Sequence, residues 1–221
     1  MNLMPNAYFP ASITRENDMT LQINIAARRD FQSRDLREMH TLRAKVFQGR
    51  LGWEVPVLSG MEIDGYDALE PHYMMMRESG EGILRGCWRL LPTDGPYMLK
   101  DSFPQLLHGQ PAPCDEHIWE LSRFAIETGG SDQFGFSEIT MESFAAITRY
   151  GYEHGIEKYV TVTTTAIERL LRRAGIVTER FGPPLVIGVE TAVALYVDID
   201  ASYPAVVRFG AGKARGYGLP Q

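Results

Sequence analysis

The chain has 221 residues, 44% of them hydrophobic and 23% charged, with a formal net charge of -6 and a pI of about 5.4. The length suits one large globular domain or two very small ones, the composition is ordinary globular, and the acidic balance argues against a general nucleic-acid surface. No apolar run approaches the ~18–20 residues of a membrane span, and two cysteines, Cys87 and Cys114, are too few for a disulfide framework or a thiolate metal site.

Residues 1–18 lack a basic segment followed by an apolar one, so no signal peptide is expected there but either a flexible, dispensable extension or a mis-assigned start ahead of Met19. A single domain is expected over 19–205, in the reducing cytoplasm. Leu21, Ile23 and Ile25 alternate with Gln22 and Asn24, which predicts a first strand. A helix is expected from Asp30 to Gln48, because Leu36, Met39, Val46 and Phe47 share one face at ~100° per residue. Arg43 falls inside that face, either snorkelling to water or serving a site. The next segment, Leu51 to Tyr73, is punctuated by Gly52, Pro56, Gly60, Gly65 and Pro71. That is long for a loop in a compact domain, so a working loop is expected. It carries Trp53, Glu62, Asp64 and Asp67. The aspartates of DGYD can cap a turn or orient arginines; the alternating oxygen ligands of a calcium loop are missing.

Tyr73–Met76 and Ile83–Leu91 predict a hairpin joined by Glu78–Gly82. Its second strand buries Arg89 between Cys87 and Leu91 on one face. Pro92–Pro113 reads as a loop with a short helical piece near Phe103–Leu107. Trp119–Ile126, WELSRFAI, then sets Glu120, Ser122 and Arg123 in an apolar run, which is costly unless the charges are paired with each other or with a ligand. In a regular strand Glu120 and Arg123 point to opposite faces, so both reach one cleft only through a bulge or a strand end. Arg43, Arg89 and Arg123, with Asp64, Asp67 and Glu120 to meet them, are more than packing needs. They suit a cleft for a charged or zwitterionic ligand.

After the glycine-rich stretch Thr128–Gly135, a helix is expected from Ser137 to His154, ended by Gly155. Tyr159–Thr164 is a β-branched strand with Thr161 and Thr163 on one face and Val160 and Val162 on the other. The helix Ala166–Ala174 should bury Ile167, Leu170, Leu171 and Ala174. It gathers Arg169, Arg172 and Arg173 on its opposite side, either as a solvated face or as a basic patch for an acidic partner. Leu185–Val189 and Ala192–Ile199 are the last predicted strands, and residues 206–221 a loosely ordered tail.

The chain resembles the acyl-homoserine-lactone synthases of bacterial quorum sensing. The likeness covers about Met19 to Ala201. It is carried by MHTLRAKVF, GW, MEIDGYDALEPHYM, GCWRLLPTDGPYMLKDSFPQLLHG and IWELSRFAI, in the family's order and spacing. Arg43, Phe47, Trp53, Asp64, Asp67, Arg89, Phe103, Glu120 and Arg123 match its typical invariant set. The resemblance implies an α/β fold like that of N-acetyltransferases, a three-layer αβα arrangement with a mixed twisted sheet flanked by helices. It implies two substrates, S-adenosylmethionine and an acyl chain on acyl carrier protein, and no cofactor or metal. The amine attacks the acyl thioester, and the product then lactonises and expels methylthioadenosine. Long-chain products, 3-oxo among them, are the nearest type.

On that reading Glu120 is the expected proton acceptor, since an ammonium is no nucleophile. Arg43, Asp64, Asp67 and Arg89 would hold the amino-acid end of the substrate, and Arg123 would tie the cluster to the strand or place the thioester. Phe47 and Trp53 would cover the sulfonium and adenosine. Phe103, Ser122 and Phe124 complete the expected substrate-binding set, Thr161 or Thr163 would bond a 3-oxo group, and Arg169, Arg172 and Arg173 would receive the carrier protein. The main alternative is a CoA-dependent small-molecule N-acetyltransferase. It is disfavoured because TGGSDQFGF, before the helix at Ser137, lacks a clear pyrophosphate-binding glycine pattern. A non-enzymatic sensor is disfavoured because it need not keep a proton acceptor.

Overall fold

The computed structural model describes residues 21–78, 82–127 and 138–215. The expected extension, the glycine-rich stretch Thr128–Gly135 and most of the Glu78–Gly82 connector lie outside them. In chain order the elements are β1 (Leu21–Ala27), α1 (Ser33–Ala44) running into a π-helical turn (Lys45–Arg50), β2 (Val57–Leu58), β3 (Met61–Glu62), β4 (His72–Glu78), β5 (Leu84–Pro92), α2 (Met98–Asp101) and β6 (Ile118–Ile126). There follow α3 (Glu138–Glu153), β7 (Lys158–Thr164), α4 (Thr165–Arg173), β8 (Thr178–Arg180), β9 (Leu185–Ile187), β10 (Glu190–Asp198) and α5 (Ile199–Arg215).

Eight of the strands form one mixed sheet in the order β1-β4-β5-β6-β7-β10-β8, with β9 beside β10, and β2 and β3 pair only with each other. Alternation decides the layers. Met74 and Met76 of β4 and Trp88 and Leu90 of β5 face α3, α4 and α5. Tyr73, Met75 and Cys87 face α1 and its π-turn, where Met39, Leu42 and Phe47 meet them. Further along that second face the segment after β5 folds over the sheet, placing Tyr97, Leu99 and Leu106 against Val160 and Ala194. This is the expected three-layer arrangement. β4 and β5 are apolar on both faces because helices or loops cover both.

Two irregularities position the site. Cys87 pairs with Ala125 and Arg89 with Ser122, so Trp88 faces two residues, Arg123 and Phe124. Arg123 in this bulge has φ +58°, a left-handed backbone that costs a residue with a Cβ roughly 1–2 kcal/mol. The second is a fork. β6 and β7 are parallel but pair only from Ile118 and Lys158 to Leu121 and Thr161. Both strands continue, and the ladder does not.

The expected helix Asp30–Gln48 begins later, at Ser33, where Gln32 and Asp35 form a reciprocal capping box. Its last turns widen into the π-turn. Among the described residues α5 runs to Arg215, into the stretch expected to be a loose tail. It is nucleated by the Asp198 carboxylate, which accepts from the Ala201 N–H at 2.9 Å, and it buries Val206 against α3. Tertiary packing thus overrides the glycine content.

Candidate active site

Three arginines and three acids meet on the α1 face, at the open end of the fork. α1 supplies Arg43, one turn before Phe47. Its guanidinium is wholly buried: Nε donates to Glu62 at 2.5 Å, Nη1 to Asp67 at 2.8 Å and Nη2 to Asp67 at 3.0 Å. Arg89, also fully buried, reaches from β5 to Asp64 at 2.5 Å and Asp67 at 3.0 Å through Nη1, and to Ser122 Oγ at 3.2 Å through Nε. Arg123 donates Nε to Glu62 at 3.0 Å and pairs with Asp64 at 2.8 Å. The bulge turns Arg123 onto the face that Ser122 already occupies, which resolves the conflict of direction expected for a regular strand.

Burial alone pushes the Asp67 carboxyl up, but hydrogen bonds and charge from Arg43, with charge from Arg89, outweigh it and hold the group well below the usual carboxylate range. Burial is also the leading influence on Arg43, where Asp67 and Glu62 reverse it and raise the guanidinium. In Arg123 burial prevails, so the guanidinium is lowered. The Tyr73 hydroxyl donates to Asp67 at 2.7 Å, and burial raises it.

Sequence reasoning left Glu62 out of the set, although it ties Arg43 to Arg123 and is completely buried. The available signal was its place between Met61 and Ile63, a charge in an apolar run. Glu120 stands apart from the ion pairs. Its two oxygens accept the backbone N–H groups of Met98 at 3.0 Å and Leu99 at 2.7 Å, the first turn of α2. Burial raises this carboxyl, and the two amides only partly offset that.

The rim of the cluster is aromatic. Phe47 and Trp53 stack at 5.2 Å with planes 3° apart, the Arg123 guanidinium lies 5.7 Å from the Phe47 ring centre, and Trp53 Nε1 is buried with no partner among the described residues. Tyr66 covers Arg89 at 5.4 Å, and its hydroxyl meets Ser102 at 3.0 Å. Phe103 packs in that second-face cluster beside Tyr66.

Through the fork, on the opposite face, lies an apolar crevice of about 10 Å³ lined by Trp88, Leu121, Phe144, Tyr159, Thr161 and Val197 among others. A second, of about 20 Å³ between α3 and α5, shares Phe144 and Ile176 with it. Each holds about one water's volume, so a longer guest must part α3 from the sheet. Phe124 is not in the lining but packs on two residues that are, its ring centre 4.4 Å from that of Trp88 and 6.0 Å from that of Phe144. Thr161 lines it, but its hydroxyl donates to Leu121 O at 2.8 Å; Thr163 is not in the lining.

Arg169, Arg172 and Arg173 are exposed on α4, which starts where β7 ends, at the mouth of the fork. Glu168, nearly buried, pairs with Arg172 at 3.0 Å and with Arg180 of β8 at 2.5 Å. No helix among the described residues is long and apolar enough to cross a membrane.

A family model described as autoinducer synthase matches residues 28–206. A curated acyl-homoserine-lactone synthase of Pseudomonas aeruginosa is 52% identical over 180 residues, 81% of this chain and 90% of that one. The crystal structure of the synthase LasI matches with TM-score 0.78 at 50% identity, over 85% of this chain and 95% of that chain. A CoA-dependent acyl-homoserine lactone synthase, BjaI, solved with SAM and isopentyl-CoA, matches with TM-score 0.76 at 25% identity, over 86% and 90%.

Proposed function

The chain belongs to the autoinducer synthase family and is an acyltransferase of the acyl-homoserine-lactone synthase type, and from that premise we propose that it joins a long acyl chain, carried on acyl carrier protein, to the amine of S-adenosylmethionine. The observation that carries this reading is the fork. The ladder ends at Leu121 and Thr161, which line the apolar crevice on one face, while the next residues of β6, Ser122 and Arg123, belong to the polar, aromatic-rimmed cluster on the other. The nucleoside belongs on the polar side, with adenosine and sulfonium against Phe47 and Trp53. The thioester sits in the fork beside Ser122 and Arg123, and the acyl chain enters the core past Trp88 and Phe144.

The chemistry then runs in two steps. The free amine attacks the thioester carbonyl, the amide bond forms and the carrier thiolate leaves. The substrate carboxylate next displaces methylthioadenosine as the lactone closes. Glu120 takes the ammonium proton, directly or through a water; its burial-raised carboxyl suits that duty. Arg43 and Asp67 act from within by fixing Asp64, Arg89 and Arg123. Thr161 is the hydroxyl beside the acyl chain, and a 3-oxo group there competes with Leu121 O for its proton. The α4 arginines, in a chain of net charge -6, form the landing patch for an acidic carrier. A cytoplasmic location keeps Cys87 and Cys114 as thiols.

Acyl-CoA is the second reading for the donor, favoured by the likeness to BjaI. Purified protein given S-adenosylmethionine and a panel of acyl carriers and acyl-CoAs decides between them. Methylthioadenosine release with long-chain acyl carriers, and mass spectrometry of the matching lactone, is the expected result. Turnover with acyl-CoA alone would reassign the donor, and acetyl transfer without methylthioadenosine would overturn the reading.

A further inference from the structure

Two guanidinium nitrogens in the cluster face sulfur instead of oxygen. Every nitrogen of Arg43 meets a carboxylate. Arg89 Nη2, by contrast, donates to Met98 Sδ at 3.0 Å, and Arg123 Nη1 donates to the same sulfur at 3.3 Å. A thioether is a weak acceptor, so the buried Arg89 donor and the part-buried Arg123 donor are both under-satisfied. They come from different strands and converge on one point, as donors do on an oxygen they share. The spot is at the accessible edge of the cluster, since the side chains of Asp64 and Arg123 remain 10% and 11% exposed while that of Arg43 is at 1%.

We propose that Met98 is a gate. Its thioether fills the subsite in which Arg89 Nη2 and Arg123 Nη1 receive a substrate oxygen, and it swings aside when that oxygen arrives. Methionine suits the role because its unbranched side chain repacks readily. The Met98 N–H is held by Glu120, so the side chain moves while α2 stays. Glu120 thereby gains a positioning duty beside the one proposed above.

The identity of the oxygen rests on the functional reading. It is either the carboxylate of S-adenosylmethionine or the thioester carbonyl, two acceptors of one kind. Two variants of the full chain separate them. Met98→Leu keeps the volume and removes the acceptor; Met98→Gln supplies a stronger one. Calorimetry measures the Kd of S-adenosylmethionine and of methylthioadenosine, which lacks the amino-acid part. If the carboxylate displaces Met98, Met98→Leu tightens S-adenosylmethionine about three- to tenfold and Met98→Gln weakens it by a similar factor, while methylthioadenosine is unmoved. If the carbonyl does, both Kd values hold and kcat with the acyl donor shifts in those opposite directions. Variants that shift both nucleosides together, or leave Kd and kcat unchanged, overturn the gate while wild-type binding of S-adenosylmethionine preserves the functional reading. Wild type that binds neither nucleoside takes down both.

Discussion

Arg43 offers a residue-scale contrast with its neighbours. Phe47, one turn later, has its ring against Trp53 at the rim, whereas the Arg43 guanidinium is sealed between Glu62 and Asp67. Its part is to hold the acids that hold Arg89 and Arg123. Arg43→Met leaves Glu62 with Arg123 alone and Asp67 with Arg89 and the Tyr73 hydroxyl, two buried acids facing two remaining guanidiniums besides Asp64, so it should cost about 3–5 kcal/mol in unfolding free energy. Urea denaturation measures that loss; a variant that keeps its stability and loses only substrate affinity would make Arg43 a ligand contact. Glu120 calls for a different readout. As the base it must be ionised, so kcat should rise with pH through a value above the ordinary carboxyl of about 4.3. Glu120→Gln should lose that limb and about 10²–10⁴ in rate. The amide also turns an N–H toward the α2 backbone, so a thermal melt must accompany the profile. Near-normal turnover in Glu120→Gln would remove Glu120 from proton transfer.

Elements matter here through their departures from regularity. Read with period two, WELSRFAI sends Arg123 away from Ser122. The extra residue opposite Trp88 brings them together, and the ion pairs to Glu62 and Asp64 offset the left-handed backbone. A bulge depends on cross-strand partners, so no local pattern announces it. The same holds for the end of the β6–β7 ladder at Leu121 and Thr161, where Thr161 bonds Leu121 O. α4, by contrast, was legible from periodicity alone, with its arginine face outward. What periodicity missed is Glu168, buried as the clamp to Arg180. Reversing charge at Arg169 and Arg173 leaves that clamp intact. It should raise KM for the acyl carrier about tenfold and flatten its dependence on ionic strength. An unchanged salt profile would move the docking face elsewhere.

At the scale of the molecule, the buried acids set the response to pH. Arg43 and Arg89 hold Asp67 low, and the Arg180 hydrogen bond leads in holding Glu168 low. Such groups contribute stability that is present above their unfolded values, about 3.9 and 4.3, and is lost as pH falls below them toward the folded values. Glu120 acts in the opposite sense, because its raised carboxyl makes ionisation costly to the fold as pH rises past about 4.3. Asp67→Asn should therefore lower stability at neutral pH and flatten the acid side of the curve below about pH 4, as read by circular dichroism. An acid limb as steep as wild type would show that Asp67 does not drive it. Amphipathic period and unusual charge placement, both local properties, sufficed to identify α1, α3 and α4, the central strands, the three arginines and most of the acids, but not α2 or α5. The family came instead from a resemblance carried by stretches such as MEIDGYDALEPHYM and IWELSRFAI. Which charges pair was beyond that reach. Glu62 rather than Glu120 completes the cluster, α5 continues through a glycine-rich stretch, and Met98 meets two arginines, because each of these outcomes is settled by groups far apart in the chain whose burial removes water as the competing partner.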